Sequence, residues 1–146
     1  MTEIKIGERV IPLMYTTYEM IAIQRDIGCT AFELRDKVFG FVQDEDEDNV
    51  EHTVTRLEVA TDPEKAAKLG TLIRILGNAG LEEQGKEPDL TDKWILRHIK
   101  PGMVLAYAIA VMAEIVNGNT PEQKQEETGP VDEVLEEQNA KKQPGN

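Results

Sequence analysis

A chain of 146 residues, 40% of them hydrophobic but only 5% aromatic, has material for one modest core built mainly from Leu, Ile, Val, Ala and Met. A net charge of -12 with no clustered Lys/Arg face disfavours direct binding to phosphate backbones, and a single cysteine, Cys29, excludes an internal disulfide. The N-terminus MTEIKIGERV lacks the basic-then-apolar pattern of a secretory signal, and the longest unbroken apolar run, Met103 to Ala113, falls short of the roughly 20 residues that cross a bilayer; the expectation is a cytoplasmic protein.

The charge is unevenly placed. Residues 1–43 carry 6 acids and 5 bases and residues 61–118 carry 8 and 7, whereas 44–60 carry 7 acids against 1 base and 119–146 carry 7 against 3. Ten of the twelve excess charges therefore lie in two segments, read as solvated stretches that keep the chain soluble or as a docking surface for a basic partner.

In chain order, Ile4, Ile6, Val10, Ile11 and Leu13 flank a Gly7-Glu8 turn and predict a short β-hairpin, with Pro12 confining its arm to an edge. Thr16-Thr17-Tyr18-Glu19 has capping-box spacing and opens a helix with Met20, Ile23 and Ile27 on one face, ended by Gly28. Thr30-Ala31-Phe32-Glu33 repeats the box and opens a second helix carrying Leu34, Val38 and Phe41, ending near Gly40. The consecutive acids Asp44 to Asp48 repel one another, so 43–50 reads as an acidic loop, followed by a short helix over Val50–Val59 that Val54 and Thr55 weaken.

Thr61-Asp62-Pro63-Glu64 starts a long helix from Pro63 to about Gly80 that buries Leu69, Leu72, Ile73 and Leu76, with Gly77 and Gly80 loosening its end. After a loop from Gly85 to Pro88, Leu90-Thr91-Asp92 begins a short helix with Trp94, Ile95 and Ile99. Pro101 opens the last helix, ending at Asn117-Gly118. It is apolar on every side from Met103 to Ala113, which demands either surrounding helices or a second copy over one face. From Asn119 the composition reads as a disordered acidic tail, apart from Val131, Val134 and Leu135 at amphipathic spacing after Pro130. The fold class is thus mainly α: a compact domain over 1–118 of about five helices with a short N-terminal β-hairpin, and a tail over 119–146.

Chemistry-bearing patterns are sparse. Asp44, Asp46 and Asp48 match the first three ligand positions of an EF-hand loop, but Asn49 stands where glycine is needed and Thr55 where a bidentate glutamate closes the site. His52 and His98 form no zinc spacing, and Cys29, at a helix junction with no histidine near it in sequence, reads as a small buried side chain. No phosphate-binding glycine loop or apolar carboxylate pair stands out, so the expectation is no enzyme, no cofactor and no metal.

The stretch IKIGERVIPLMYTTYEMIAIQRDIG, with the later LGTLIRILGNAGLEEQGKEPDLTDKWILRHIKPGMVLAYAIAVMAEIVNGN, resembles the tail assembly chaperones of long-tailed bacteriophages and prophages, over about residues 3–118. That resemblance implies a non-structural factor of the bacterial cytoplasm, absent from the mature virion. It would bind the apolar, helical tape measure protein, keep it soluble and promote tail tube assembly, with the tube subunit as a further partner and no nucleic acid or membrane. Aromatic and Met side chains are enriched at interfaces, which nominates Tyr15, Tyr18, Trp94, Met103, Tyr107 and Met112, with Val131, Val134 and Leu135 of the tail, as partner-binding residues. Two other classes remain open: an acidic DNA-mimic or inhibitor, and a structural tail-completion subunit whose Met103–Ala113 helix lies at a homo-oligomer interface.

Overall fold

The computed structural model describes residues 1–46 and 49–121, with side chains described outside 44–55. Its first elements are the antiparallel strands β1 (Thr2–Ile6) and β2 (Arg9–Leu13), in the register Ile4↔Ile11 and Ile6↔Arg9. Pro12 stands opposite Glu3. A two-residue turn makes Ile6 and Arg9 a hydrogen-bonded pair, so alternation puts Glu3 and Pro12 at a non-bonded pair, where the missing N–H leaves no gap in the ladder. Ile4, Ile6, Ile11 and Leu13 are all buried.

Helix α1 (Thr17–Asp26) starts at the predicted capping box, where the Glu19 carboxylate accepts from the Thr16 amide at 2.9 Å and from its hydroxyl at 2.5 Å. This box sets the phase of the helix. Glu19 turns inward to reach Thr16, Ala22 and Ile23 follow at i+3 and i+4, and these are the buried positions. Met20, one residue out of phase, is exposed, contrary to the expectation that it lines the core. Replacing Thr16 by Ala should lower the unfolding free energy by about 1 kcal/mol, measured by urea denaturation.

The second capping box also forms: the Thr30 amide donates to Glu33 Oε1 at 2.8 Å and the Glu33 amide to Thr30 Oγ1 at 3.3 Å. It leads into a short helix α2 (Arg35–Phe39), wound with the wider π-type spacing and stopped at Gly40, whose φ is +65°. Phe41, expected on this helix, begins a strand instead.

Strands β3 (Phe41–Asp46) and β4 (Asn49–Leu57) pair antiparallel, which corrects both the acidic loop over 43–50 and the helix over Val50–Val59. Val50, Thr53, Val54 and Thr55 are β-branched and suit a strand better than a helix. The register sets Asp44 against Val54 and Glu45 against Thr53, so those acids are not register partners of other acids. Glu47 and Asp48 lie outside the described residues. At the base of the hairpin Phe41 and Leu57 pack against the core, and the Glu58 amide donates to the Gly40 carbonyl at 2.8 Å.

A single 3-10 turn (Glu58–Ala60) leads to α3 (Pro63–Glu83), capped by the Asp62 carboxylate, which accepts from the Glu64 and Lys65 amides. It is the hub of the fold. Leu69, Leu72, Ile73 and Leu76 are buried as predicted, and β2, α1, α2 and the following short helix α4 (Asp92–Arg97) all pack on it. Gly77 and Gly80 do not loosen its end; they let β2 and the 89–91 segment approach. A Cβ on Gly77 would lie 2.6 Å from Leu90 Cδ1, and one on Gly80 would press onto the Pro12 carbonyl. The helix continues past them to Glu83.

Thr91 caps α4 by accepting from the Trp94 amide at 3.1 Å, and a 3-10 turn (Pro101–Met103) runs into α5 (Val104–Asn119). The described residues thus form a mainly helical domain with five helices and a short N-terminal β-hairpin, to which the second hairpin is an addition. The compact unit spans Met1–Ile115. The expected disordered tail, beyond Pro121, lies outside the described residues.

Candidate functional site

Along α1 the inward set is Glu19, Ala22 and Ile23, which leaves Tyr18 (73% exposed), Met20 and Ile21 (58%) outward. In the second capping box Thr30 and Glu33 bond to each other, and of the two residues between them Ala31 is half-buried against the core while Phe32 is turned to the outside. Phe32 is 95% exposed. The two elements frame a groove of about 480 Å³ lined by Met20, Ile21, Gln24, Arg25, Thr30, Ala31 and Phe32, with walls that are almost wholly apolar. Exposing a phenylalanine completely, beside an isoleucine and a methionine, is the usual mark of a contact surface.

Beyond Arg25 a smaller cleft of about 120 Å³ separates α1 from α3 and is lined partly by Tyr18, Glu19, Asp26, Arg74, Asn78 and Glu82. Asp26 binds Arg25 at 2.8 Å and Arg74 at 3.7 Å, and the Arg25 hydrogen bond holds its carboxyl below the ordinary carboxylate range. Arg74 also binds Asp92 at 2.5 Å, and Asp92 accepts from the Thr71 hydroxyl at 2.6 Å. This network ties α1, α3 and α4 together and has no nucleophile poised beside a free base.

The residues nominated from sequence divide sharply. Tyr15 is 6% exposed and belongs to the core, where burial pushes its phenol pKa up. Among the described residues its hydroxyl has no hydrogen-bond partner. Tyr15→Phe should therefore leave stability unchanged or raise it by about 1 kcal/mol, and a loss in thermal denaturation would reveal a partner for the hydroxyl. Trp94 is half-buried: His98 stacks on it with ring centroids 4.4 Å apart, and the Arg9 guanidinium lies 5.7 Å from its ring while pairing with Asp89 at 2.5 Å. These contacts clamp the β1–β2 turn onto α4. Tyr107 donates its hydroxyl to the Lys5 carbonyl at the free edge of β1, and Met112 is half-buried against the core. Tyr15, Trp94, Tyr107 and Met112 therefore serve packing, while Tyr18 and Met103 stay exposed. Val131, Val134 and Leu135 lie outside the described residues.

Sequence reasoning passes over Phe32, Ile21 and the outward role of Met20. A signal is present: a phenylalanine inside a capping box, out of phase with Leu34 and Val38, has no core to enter.

Helix α5 covers the edge of β1. Besides Tyr107, the buried Glu114 carboxylate accepts from the Thr2 amide at 2.9 Å. Its other side is open, with Leu105, Ile109 and Val116 exposed, as is Met103 in the turn before it. Pro101–Asn119, at 19 residues, has by length and composition what a membrane span needs, which the run Met103–Ala113 alone lacks; within it Tyr107 and Glu114 are hydrogen-bonded to β1.

Among the described residues no three His, Cys, Asp or Glu side chains gather as a metal set, and Cys29 is buried with its thiol pKa raised by that burial. No family model, characterised protein or solved structure matches this chain.

Proposed function

We propose that this protein is a non-enzymatic assembly chaperone of the long-tailed phage or prophage type, which holds an apolar helical segment of the tape measure protein until the tail tube forms around it. The observation that supports this reading best is the α1–Phe32 groove, an exposed apolar trough with a fully presented aromatic. Its volume lies within the ordinary range of binding clefts and admits a few side chains of one helix ridge, the helix-in-groove mode of recognition. The one charged side chain in the lining, Arg25, is already paired with Asp26 at 2.8 Å, so the groove selects for apolar surface rather than for charge.

The acidic excess has a complementary role. A complex that shields a client's apolar stripe stays dispersed when its remaining surface carries a strong net charge of one sign. Ten of the twelve excess negative charges lie in 44–60 and 119–146, away from the groove in sequence. The protein then acts in the bacterial cytoplasm and is left out of the finished particle, with the tube subunit as a second partner during assembly.

The test is co-expression with the tape measure protein of the same genome locus, followed by affinity pull-down and a solubility assay. A soluble, co-purifying client is the expected result. An insoluble client with nothing co-purified overturns the proposal, and recovery of this chain from purified virions would assign it to the structural tail proteins instead.

A further inference from the structure

The last helix carries two apolar stripes with the same spacing. Val104, Ala108, Val111 and Ile115 recur at i, i+4, i+7 and i+11 and face the core. Leu105, Ile109 and Val116, one residue on from Val104, Ala108 and Ile115, are exposed and form a second stripe toward the outside, with the half-buried Met112 at its inner margin and the exposed alanines Ala106 and Ala113 beside it. A 4-3 alternation of large apolar side chains next to small ones is the seam of a paired helix, since the alanines let a partner helix come close while the larger groups interlock. In this domain the first seam packs on the core, and among the described residues the second is left uncovered. Of the two coverings that an all-round apolar helix permits, surrounding helices are absent on this side among the described residues.

We infer that the outward seam of α5 pairs with the same seam of a second copy, in an antiparallel helix pair about a two-fold axis. Charge decides the occupant. From Pro101 to Ala113 there is no charged side chain, and Glu114 is buried and engaged by Thr2. An amphipathic helix from another protein would bring a charged flank with nothing to meet it. A second α5 brings only apolar and small groups, so the pairing desolvates no charge and opposes none. The acidic excess does not prevent it. Sixteen helical residues span about 24 Å. Antiparallel pairing sets the two C-terminal ends of α5 about that far apart, well beyond the roughly 8 Å screening length of physiological salt.

Area sets the strength. One helix pair of four to five turns buries less than the roughly 800 Å² per partner of a standard interface. The pair is therefore reversible and dependent on concentration, and each domain keeps its own complete core. This inference stands apart from the client-binding proposal, because it concerns a different face and its test contains no client.

The experiment is sedimentation equilibrium of the full chain from about 10 µM to about 1 mM, a range that brackets a weak protein contact. The weight-average mass should rise from the monomer value of 16.4 kDa toward twice that figure. Ile109→Glu, at a position 53% exposed and so harmless to the fold, should raise the dimer dissociation constant roughly tenfold or more by forcing a charge into the seam. Phe32→Ala should leave it unchanged. A wild-type chain that stays monomeric throughout, or an Ile109→Glu variant that dimerises as well as the parent, overturns the inference. So does wild-type protein that floats with phosphatidylcholine vesicles while Ile109→Glu does not, which would make lipid the occupant.

Discussion

Gly80→Ala should destabilise the domain by about 3 kcal/mol or more, although the same change in an isolated helix would stabilise it by about 1 kcal/mol. The Cβ of an alanine at this position would press onto the Pro12 carbonyl oxygen and sit 2.6 Å from the carbonyl carbon. Neither side yields easily, because the obstacle is backbone and the end of β2 is tied to α3 by the Met14 amide donating to the Leu76 carbonyl at 3.1 Å. Relief requires lifting the hairpin from the helix, which uncovers Ile11 and Leu13, both fully buried. Thermal denaturation should show a fall of about 10 °C or more for a unit of this size. Gly70→Ala is the control. There the nearest atoms a Cβ would meet belong to the Leu96 side chain, at 2.8 Å, and Leu96 is 39% exposed and free to turn away, so this variant should stay within about 1 kcal/mol of the parent. If Gly80→Ala is as stable as the parent, the close seating of β2 on α3 is wrong.

The second large effect concerns client capture. Phe32→Ala should weaken binding of the tape measure segment roughly thirtyfold, the loss expected when a central aromatic anchor worth about 2 kcal/mol is truncated. Ile21→Glu should abolish it by placing a charge in the groove wall. Both residues are exposed, so urea denaturation should return the parent's stability within about 0.5 kcal/mol. That separation of readouts is the point of the pair. Trp94→Ala, by contrast, removes the stacking partner of His98 and the support under Arg9, and should lower stability first, with any loss of binding a consequence of it. Normal client solubility with Phe32→Ala and Ile21→Glu would show that the groove is not the docking site.

Much of the architecture is legible locally. The capping boxes at Thr16–Glu19 and Thr30–Glu33, the Asp62-Pro63 helix start and the Gly40 stop each act within one turn of chain, and all four stand where the sequence places them. The features that differ share an origin. Five consecutive acids suggest mutual repulsion, but Asp44 and Glu45 are held by backbone pairing to Val54 and Thr53, about ten residues away, and charge along a strand does not forbid that. Spacing alone puts Met20 inward, yet the capping glutamate rotates the helix and turns it out. The nominated aromatics show the same dependence on place. Residue type marks Tyr15, Trp94 and Tyr107 as interface-prone, while their place beside the core, Arg9 and the β1 edge makes them packing groups.

By itself, then, the sequence determined where most helices begin and end, which α3 positions are buried and how the first hairpin pairs. Those features depend on caps, turns and apolar period, and such forces reach only a few residues. The tertiary structure alone decided which apolar side chains remain uncovered. Phe32, Ile21, Leu105 and Ile109 are no less hydrophobic than the residues inside; they are exposed because α3 has one surface, and β2, α1, α2 and α4 already occupy it.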